Sequence, residues 1–157
     1  MVDHTHPRLG DRTNWILRIL YTPARDNTAV PIIGNTRLMK ACFLTHRTLS
    51  SEFSIETDFQ FHPDDYGPLD PLVYDTVEYL EEEGLIETSQ SARYNGTEYS
   101  LTSDGMEDAQ QLFEDLAPEV REHMEWLKTK HILKSLSKLL SFVYNQYPDM
   151  AENSTIA

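Results

Sequence analysis

Between Asp70 and Leu101 the spacing of apolar positions changes from helical to strand-like. Leu72, Val73, Val77 and Leu80 recur with steps of one, four and three, and Tyr74 and Tyr79 widen the stripe. That spacing predicts an amphipathic helix of about three to four turns. Asp70 is a good N-cap residue, and Pro71 suits the first helical position. Gly84 is expected to end the helix, because a left-handed residue after the C-cap costs glycine least. Leu85-Ile86-Glu87-Thr88 reads as a short strand and Thr97 to Leu101 as its return, joined by Asn95-Gly96, a strong hairpin signal. Thr102-Ser103-Asp104-Gly105 opens the next helix. A helix, a two-stranded wing and a following helix form the core of a winged helix-turn-helix. The expected fold class is therefore α+β, mostly helical.

The same reading extends to both sides. Thr13 is a plausible N-cap for a helix from Asn14 to Tyr21, with Trp15, Ile16, Ile19 and Leu20 on its apolar face and Pro23 as its stop. Ala29 to Ile33 is a short extended piece, and Pro31 suggests an edge position because proline cannot donate to a sheet. Asn35 caps a predicted helix from Thr36 to about Leu49, with Leu38, Met39, Cys42, Phe43 and Leu49 inward. About twenty residues, Ser50 to Leu69, then intervene before the recognition helix, where an ordinary helix-turn-helix has a turn of three or four. Phe53-Ser54-Ile55 and Phe59-Gln60-Phe61 alternate apolar with polar, so this insertion is expected to hold a strand or two. Downstream, Met106, Ala109, Leu112, Phe113 and Leu116 mark a helix that Pro118 interrupts. Val120 to Lys130 and a stripe from Ile132 to Tyr144 continue the helical part, ended by Pro148. The organisation is a flexible N-terminus (1–10), a winged-helix-like domain with extra C-terminal helices (11–148) and a tail (149–157).

Charge sharpens this picture. Acidic residues number 26 against 13 basic, for a net charge of −13. Residues 48–120 hold 19 acids and one base, Arg93, whereas 1–47 and 121–157 are mildly basic. The acid therefore lies on the predicted recognition helix and wing. Two explanations stand: a partner that is basic or indifferent to charge, or adaptation to high salt, as in a haloarchaeal proteome, where surface carboxylates hold water and lysine is scarce. No apolar run approaches the eighteen residues of a membrane span, and the N-terminus has no hydrophobic signal segment. The single cysteine, Cys42, lies among apolar residues and reads as a buried thiol, which fits a reducing cytoplasm.

A series of short motifs resembles the Panacea domain group, which includes the SocA-like antitoxins and their YwgA-like relatives. It runs from Arg37-Leu38-Met39-Lys40-Ala41-Cys42-Phe43-Leu44 through Phe59-x-Phe61 and Asp65-Tyr66-Gly67-Pro68. It continues with Val73-Tyr74-Asp75 and Tyr79-Leu80-Glu81-Glu82-Glu83-Gly84-Leu85-Ile86. Leu139-Leu140-x-x-Val143-Tyr144-x-x-Tyr147-Pro148 and Ser154-x-Ile156 resemble the YwgA-like variant, so the likeness covers about residues 30 to 156. The resemblance implies a winged-helix-like domain, often an antitoxin that neutralises a toxin protein. Its signature turn is Tyr66-Gly67-Pro68, and it brings no catalytic residues.

Enzymatic chemistry is not expected. The six glycines are scattered rather than grouped into a phosphate loop, and neither HExxH nor paired-cysteine spacing occurs. His62-Pro63-Asp64-Asp65 reads either as a weak cation site or as a solvated loop, and His4 and His6 as half a metal site or a frayed terminus. No metal or cofactor is expected. Two binding readings remain. In the first, the chain is a non-catalytic antitoxin-like or regulatory module whose protein partner meets Tyr66, Gly67, Pro68, Asp75, Glu78, Glu81 and Glu82. In the second it is a transcriptional regulator. The recognition helix has no lysine or arginine to reach phosphate or guanine, so DNA would have to meet Arg37, Lys40, Arg47 and Arg93. Lys130, Lys134 and Lys138 are spaced four apart and are expected to share one helical face, as solvated surface or as a dock for the acidic helix or a second subunit. A homodimer is compatible with the long C-terminal apolar stripe.

Overall fold

Helix α2 (Asn35–Phe53) is the element that the others surround. Every residue from Leu38 to Thr45 is buried, so this stretch has no solvent face and must be covered from all directions. The computed structural model describes residues 2–24, 31–65, 67–90 and 96–151. Around α2 are packed α1 (Arg12–Tyr21), strand β1 (Ile32–Ile33), α5 (Pro118–Leu127), a π-helical turn (Lys128–Ile132) and α6 (Leu136–Gln146). The chain also forms a hairpin of β2 (His62–Asp64) and β3 (Gly67–Leu69), helix α3 (Leu72–Glu82), strands β4 (Ile86–Gln90) and β5 (Thr97–Leu101), α4 (Ser103–Glu114) and a short α7 (Pro148–Ala151). The architecture is α+β and mostly helical, with a small antiparallel sheet. Among the described residues no helix is long and apolar enough to cross a membrane.

The sheet has the order β1-β5-β4, all antiparallel, with Ile32 opposite Tyr99 and Ile86 opposite Leu101. β1 occupies an edge, as the neighbouring Pro31 predicts. At the end of α3, Gly84 takes φ +76°, the Leu85 N–H donates to the Leu80 carbonyl and the Gly84 N–H to that of Glu81. That is a Schellman closure, with Leu80 and Leu85 both buried beneath it. Thr102 caps α4 by accepting from the Gly105 N–H at 3.0 Å. Asn95 lies outside the described residues, as do Tyr66, Arg93 and residues 152–157.

Several local expectations are corrected. Asn35 does not cap α2: Gly34 holds that position, and the Asn35 side-chain oxygen accepts from the Tyr99 hydroxyl instead. Thr13 lies inside α1, and its hydroxyl donates to the His4 carbonyl at 2.7 Å. Phe53 ends α2 rather than starting a strand, and Phe59 and Phe61 are in no strand. The two inserted strands come later, across the prolines, with Pro63 opposite Pro68. Phe59 and Phe61 instead gather with Phe43 and His46 of α2 in an aromatic cluster, ring centroids 5.3 Å apart for Phe43–Phe61 and 5.7 Å for Phe59–Phe61.

The terminus expected to be flexible is tied down along residues 2–10. Leu9 is buried, and His6 and Gly10 exchange two backbone hydrogen bonds. Asp3 accepts from the Thr5 hydroxyl and amide and from the Asn14 side chain, bonds that pull its carboxyl down to about 2. Asp149, placed at the start of the tail, accepts from Arg47 at 2.8 Å, and the chain there forms α7. Cys42 is fully buried, which raises its thiol pKa.

Candidate functional site

Helix α3 presents two unlike sides. Val73, Thr76, Val77 and Leu80 face the core, while Glu78, Glu81 and Glu82 are exposed and Tyr74 keeps 40% of its surface in solvent. Tyr74, Glu78 and Glu81 follow one another at four and three residues, so they form one outward stripe. The Thr88 hydroxyl on β4 donates to Glu81 at 2.5 Å, which links this stripe to the hairpin. On the other flank the N-terminal segment leans on the helix. His6 meets Tyr79 edge-on at 4.7 Å, and Arg8 pairs with Asp75 at 3.1 Å.

The start of α3 is fixed from below by Asp70. Its carboxylate accepts from Arg12 of α1 at 2.8 Å, from the Gln60 amide of the insertion at 3.0 Å and from the Leu72 amide at 3.1 Å. Arg12 also donates to the Leu9 carbonyl. The two side chains are 5% and 3% exposed. Asp70, expected only to cap a helix, thus joins three segments at once. Arg12 stands four residues before Ile16 and seven before Ile19, so a cation on the apolar stripe was the signal for a buried partner.

Of the candidate DNA-contacting cations, Arg37, Lys40 and Arg47 are engaged inside the molecule, and Arg93 lies outside the described residues. Arg37 donates to the carbonyls of Ile132 and Lys134 at 2.6 and 2.5 Å, and its burial lowers its pKa. Lys40 is 2% exposed, and burial brings its ammonium down to about 8. It lies on the inner side of α2 rather than on a solvated face. Arg47 pairs with Asp149 and lies over the rings of Phe43 and Tyr147 at 5.1 and 5.0 Å.

The described part of the signature turn also faces inward. Gly67 and Pro68 are buried, and Gly67 has φ +97°. A Cβ there would come within 2.9 Å of the Tyr144 ring and 3.0 Å of the Lys40 nitrogen, so only glycine fits. Of the predicted partner-binding residues, the structure brings Asp75, Glu78, Glu81 and Glu82 together on α3 and places Gly67 and Pro68 elsewhere, beneath the surface.

Sequence reasoning also missed Lys128. It is 1% exposed, and its ammonium donates to the carbonyls of Ile19, Leu20 and Thr22 at 3.1, 3.2 and 2.7 Å. These acceptors are at the end of α1, where carbonyls lack helical partners and the helix dipole favours a cation. Burial lowers the Lys128 pKa to about 7. Its signal was its place four residues after Met124, on the inward face.

Lys130, Lys134 and Lys138 do not share a helical face. The π-helical turn ends at Ile132, and α6 begins at Leu136 behind a Ser135 cap. Among the described residues no three His, Cys, Asp or Glu side chains converge as a metal site. No protein-family model, curated protein or solved structure matches this chain.

Proposed function

We propose that this chain is a non-catalytic winged-helix protein of the antitoxin-like or regulatory kind, which meets a protein partner through the outer face of α3. The order helix, strand, helix, inserted hairpin, helix, hairpin, with the first strand along the edge of the second hairpin, supports the winged-helix reading. The observation that carries the partner reading is the contrast between α3 and α2. The exposed side of α3 offers an aromatic ring and carboxylates, while Arg37, Lys40 and Arg47 are engaged internally. DNA binding needs cations aimed at phosphate, and a face of carboxylates repels it. A protein surface carrying lysine or arginine beside an apolar pocket for Tyr74 complements that face.

The test is capture from lysate of the source cells with immobilised chain, after nuclease treatment. Wild type is compared with Glu78→Lys/Glu81→Lys/Glu82→Lys. The expected result is a stoichiometric protein bound by the wild type and lost from the variant, whose circular dichroism is unchanged. Recovery of one enriched duplex sequence, with no protein lost on charge reversal, overturns the reading in favour of a DNA-binding regulator.

A further inference from the structure

Three exposed lysines of this acidic chain flank one group of rings although no single helix aligns them: Lys130 adjoins His131 in the chain, and Lys138 stands one turn before Phe142 on α6. Among the described residues the exposed lysines and arginines are Arg8, Lys130, Lys134 and Lys138. Arg8 is occupied by Asp75. The side chains of the three lysines have no ion pair or hydrogen bond among the described residues. They border an aromatic ladder. Trp126, 47% exposed, stands edge-on to His131 at 5.0 Å, and His131 stacks on Phe142 at 3.8 Å with 14° between the rings. Leu136, 42% exposed, lies between Lys134 and Lys138 in the chain. Burial, then the charges of Lys130 and Lys134, lower the His131 pKa.

This face and the outer face of α3 are complementary in kind. One offers Trp126 among lysines, and the other offers Tyr74 among Glu78, Glu81 and Glu82. Within one molecule they belong to different packing neighbourhoods: α3 packs mainly on α1 and β4, whereas the π-helical turn packs mainly on α2, α5 and α6. We propose that the Trp126–Lys130–Lys134–Lys138 face docks the α3 face of a second copy of this chain. The inference rests on the reading of α3 as a protein-binding surface, and it names one occupant. Two different faces meet, so the contact is heterologous in the sense of subunit assembly. The net charge of −13 opposes approach at long range. At physiological ionic strength that repulsion is screened beyond about 8 Å, and only the facing groups count.

The experiment is sedimentation velocity over a concentration series in physiological salt, with Trp126 emission read in parallel. Wild type is expected to rise in mass from 18.2 kDa through dimers to larger assemblies as concentration rises, because a heterologous contact leaves one face of each kind free, with the Trp126 emission shifting to the blue. The second tryptophan, Trp15, is buried and serves as an internal reference. Lys130→Glu/Lys134→Glu/Lys138→Glu and Glu78→Lys/Glu81→Lys/Glu82→Lys should each stay monomeric, because each then carries two faces of one sign. Mixed together, the two variants should form a one-to-one complex, since each regains a complementary face in the other. A wild-type mass independent of concentration, or variants that stay apart when mixed, overturns the proposal. So does lysine-dependent binding of a single-stranded oligonucleotide without any self-association. Capture of a lysate protein that is lost on reversal of the α3 charges, with no self-association, would leave the functional reading standing and remove this one alone. Complex formation by the mixed variants without any lysate partner would do the opposite.

Discussion

Two arginine–aspartate pairs tie the N-terminal part of the chain to α3, and they differ in almost everything but chemistry. Arg12 and Asp70 are 5% and 3% exposed, whereas Arg8 and Asp75 are 60% and 44% exposed. The aspartates are five positions apart. At the inner pair each charge has left water, so its partner and the Gln60, Leu72 and Leu9 backbone groups must replace hydration. At the outer pair water remains available to both. The same bond is therefore a condition of folding at the base of α3 and a replaceable contact on its flank.

The most direct way to break this contrast is Asp70→Asn. The change removes the charge opposite Arg12 and leaves a buried guanidinium unpaired, with an expected loss of about 3–5 kcal/mol. Urea unfolding at pH 7 measures it, read from the midpoint once the slope is shown to be unchanged. Arg12→Met/Asp70→Asn removes both charges and should recover about 1–3 kcal/mol relative to the single change. A double variant no better than Asp70→Asn would mean that the pair is held for its backbone hydrogen bonds rather than for its charges.

Lys128 sharpens the comparison because it is a buried cation with carbonyls, not a carboxylate, as its partners. Lys128→Met strips the three carbonyls at the end of α1 of their donor and is expected to cost about 2–4 kcal/mol. Its pH dependence has a definite sign. Burial lowers the folded pKa to about 7, while the unfolded chain keeps the ordinary 10.5. Between those values the unfolded state binds more protons, so wild-type stability rises with pH, and the cost of burying the charge is felt in full below pH 7. The gap between wild type and Lys128→Met should therefore widen from pH 7 to 9, by up to about 1.4 kcal/mol per pH unit. A gap that stays flat would show that the carbonyls hold the ammonium charged throughout, since a neutral amine has only two N–H donors for three acceptors.

These residues also mark where sequence reading stops. α3, its Gly84 closure, the edge position beside Pro31 and the helix start at Thr102-Ser103-Asp104-Gly105 were legible because each depends on neighbours within about five residues, through helical period, positive φ or local turn chemistry. The carboxylates of the α3 face were legible for the same reason. Arg12 finds Asp70 58 positions away, and Lys128 reaches Thr22 across 106. No local period encodes those distances. A charged residue on an apolar stripe indicates that a partner is needed, but not which one. Asn35 misled because its side chain can satisfy either a helix start or a distant hydroxyl, and here Tyr99 takes it. In the insertion, the alternation of Phe59 and Phe61 reported burial correctly for Phe59 but not strand pairing, which was set by the facing prolines of β2 and β3. The three lysines looked like one face because their spacing is four, and the break after Ile132 removed the helix that would have aligned them.

The smallest expected effect lies at the outer pair. Arg8→Ala removes an exposed bond at 3.1 Å, and exposed pairs contribute about 0–1 kcal/mol, so stability should fall by less than about 1 kcal/mol. The consequence for the surface should be larger than that for the fold. Asp75 would be released, adding one uncompensated carboxylate beside Glu78 and Glu82, and the N-terminal segment would keep its hold on α3 through His6 and Tyr79. A partner that is drawn to the acidic face should then bind Arg8→Ala faster, with the gain shrinking as salt rises. Stopped-flow association at two ionic strengths measures this. If Arg8→Ala instead destabilises the chain as strongly as Asp70→Asn, burial does not separate the two pairs, and the N-terminal segment is part of the folding core rather than a cover on the flank of α3.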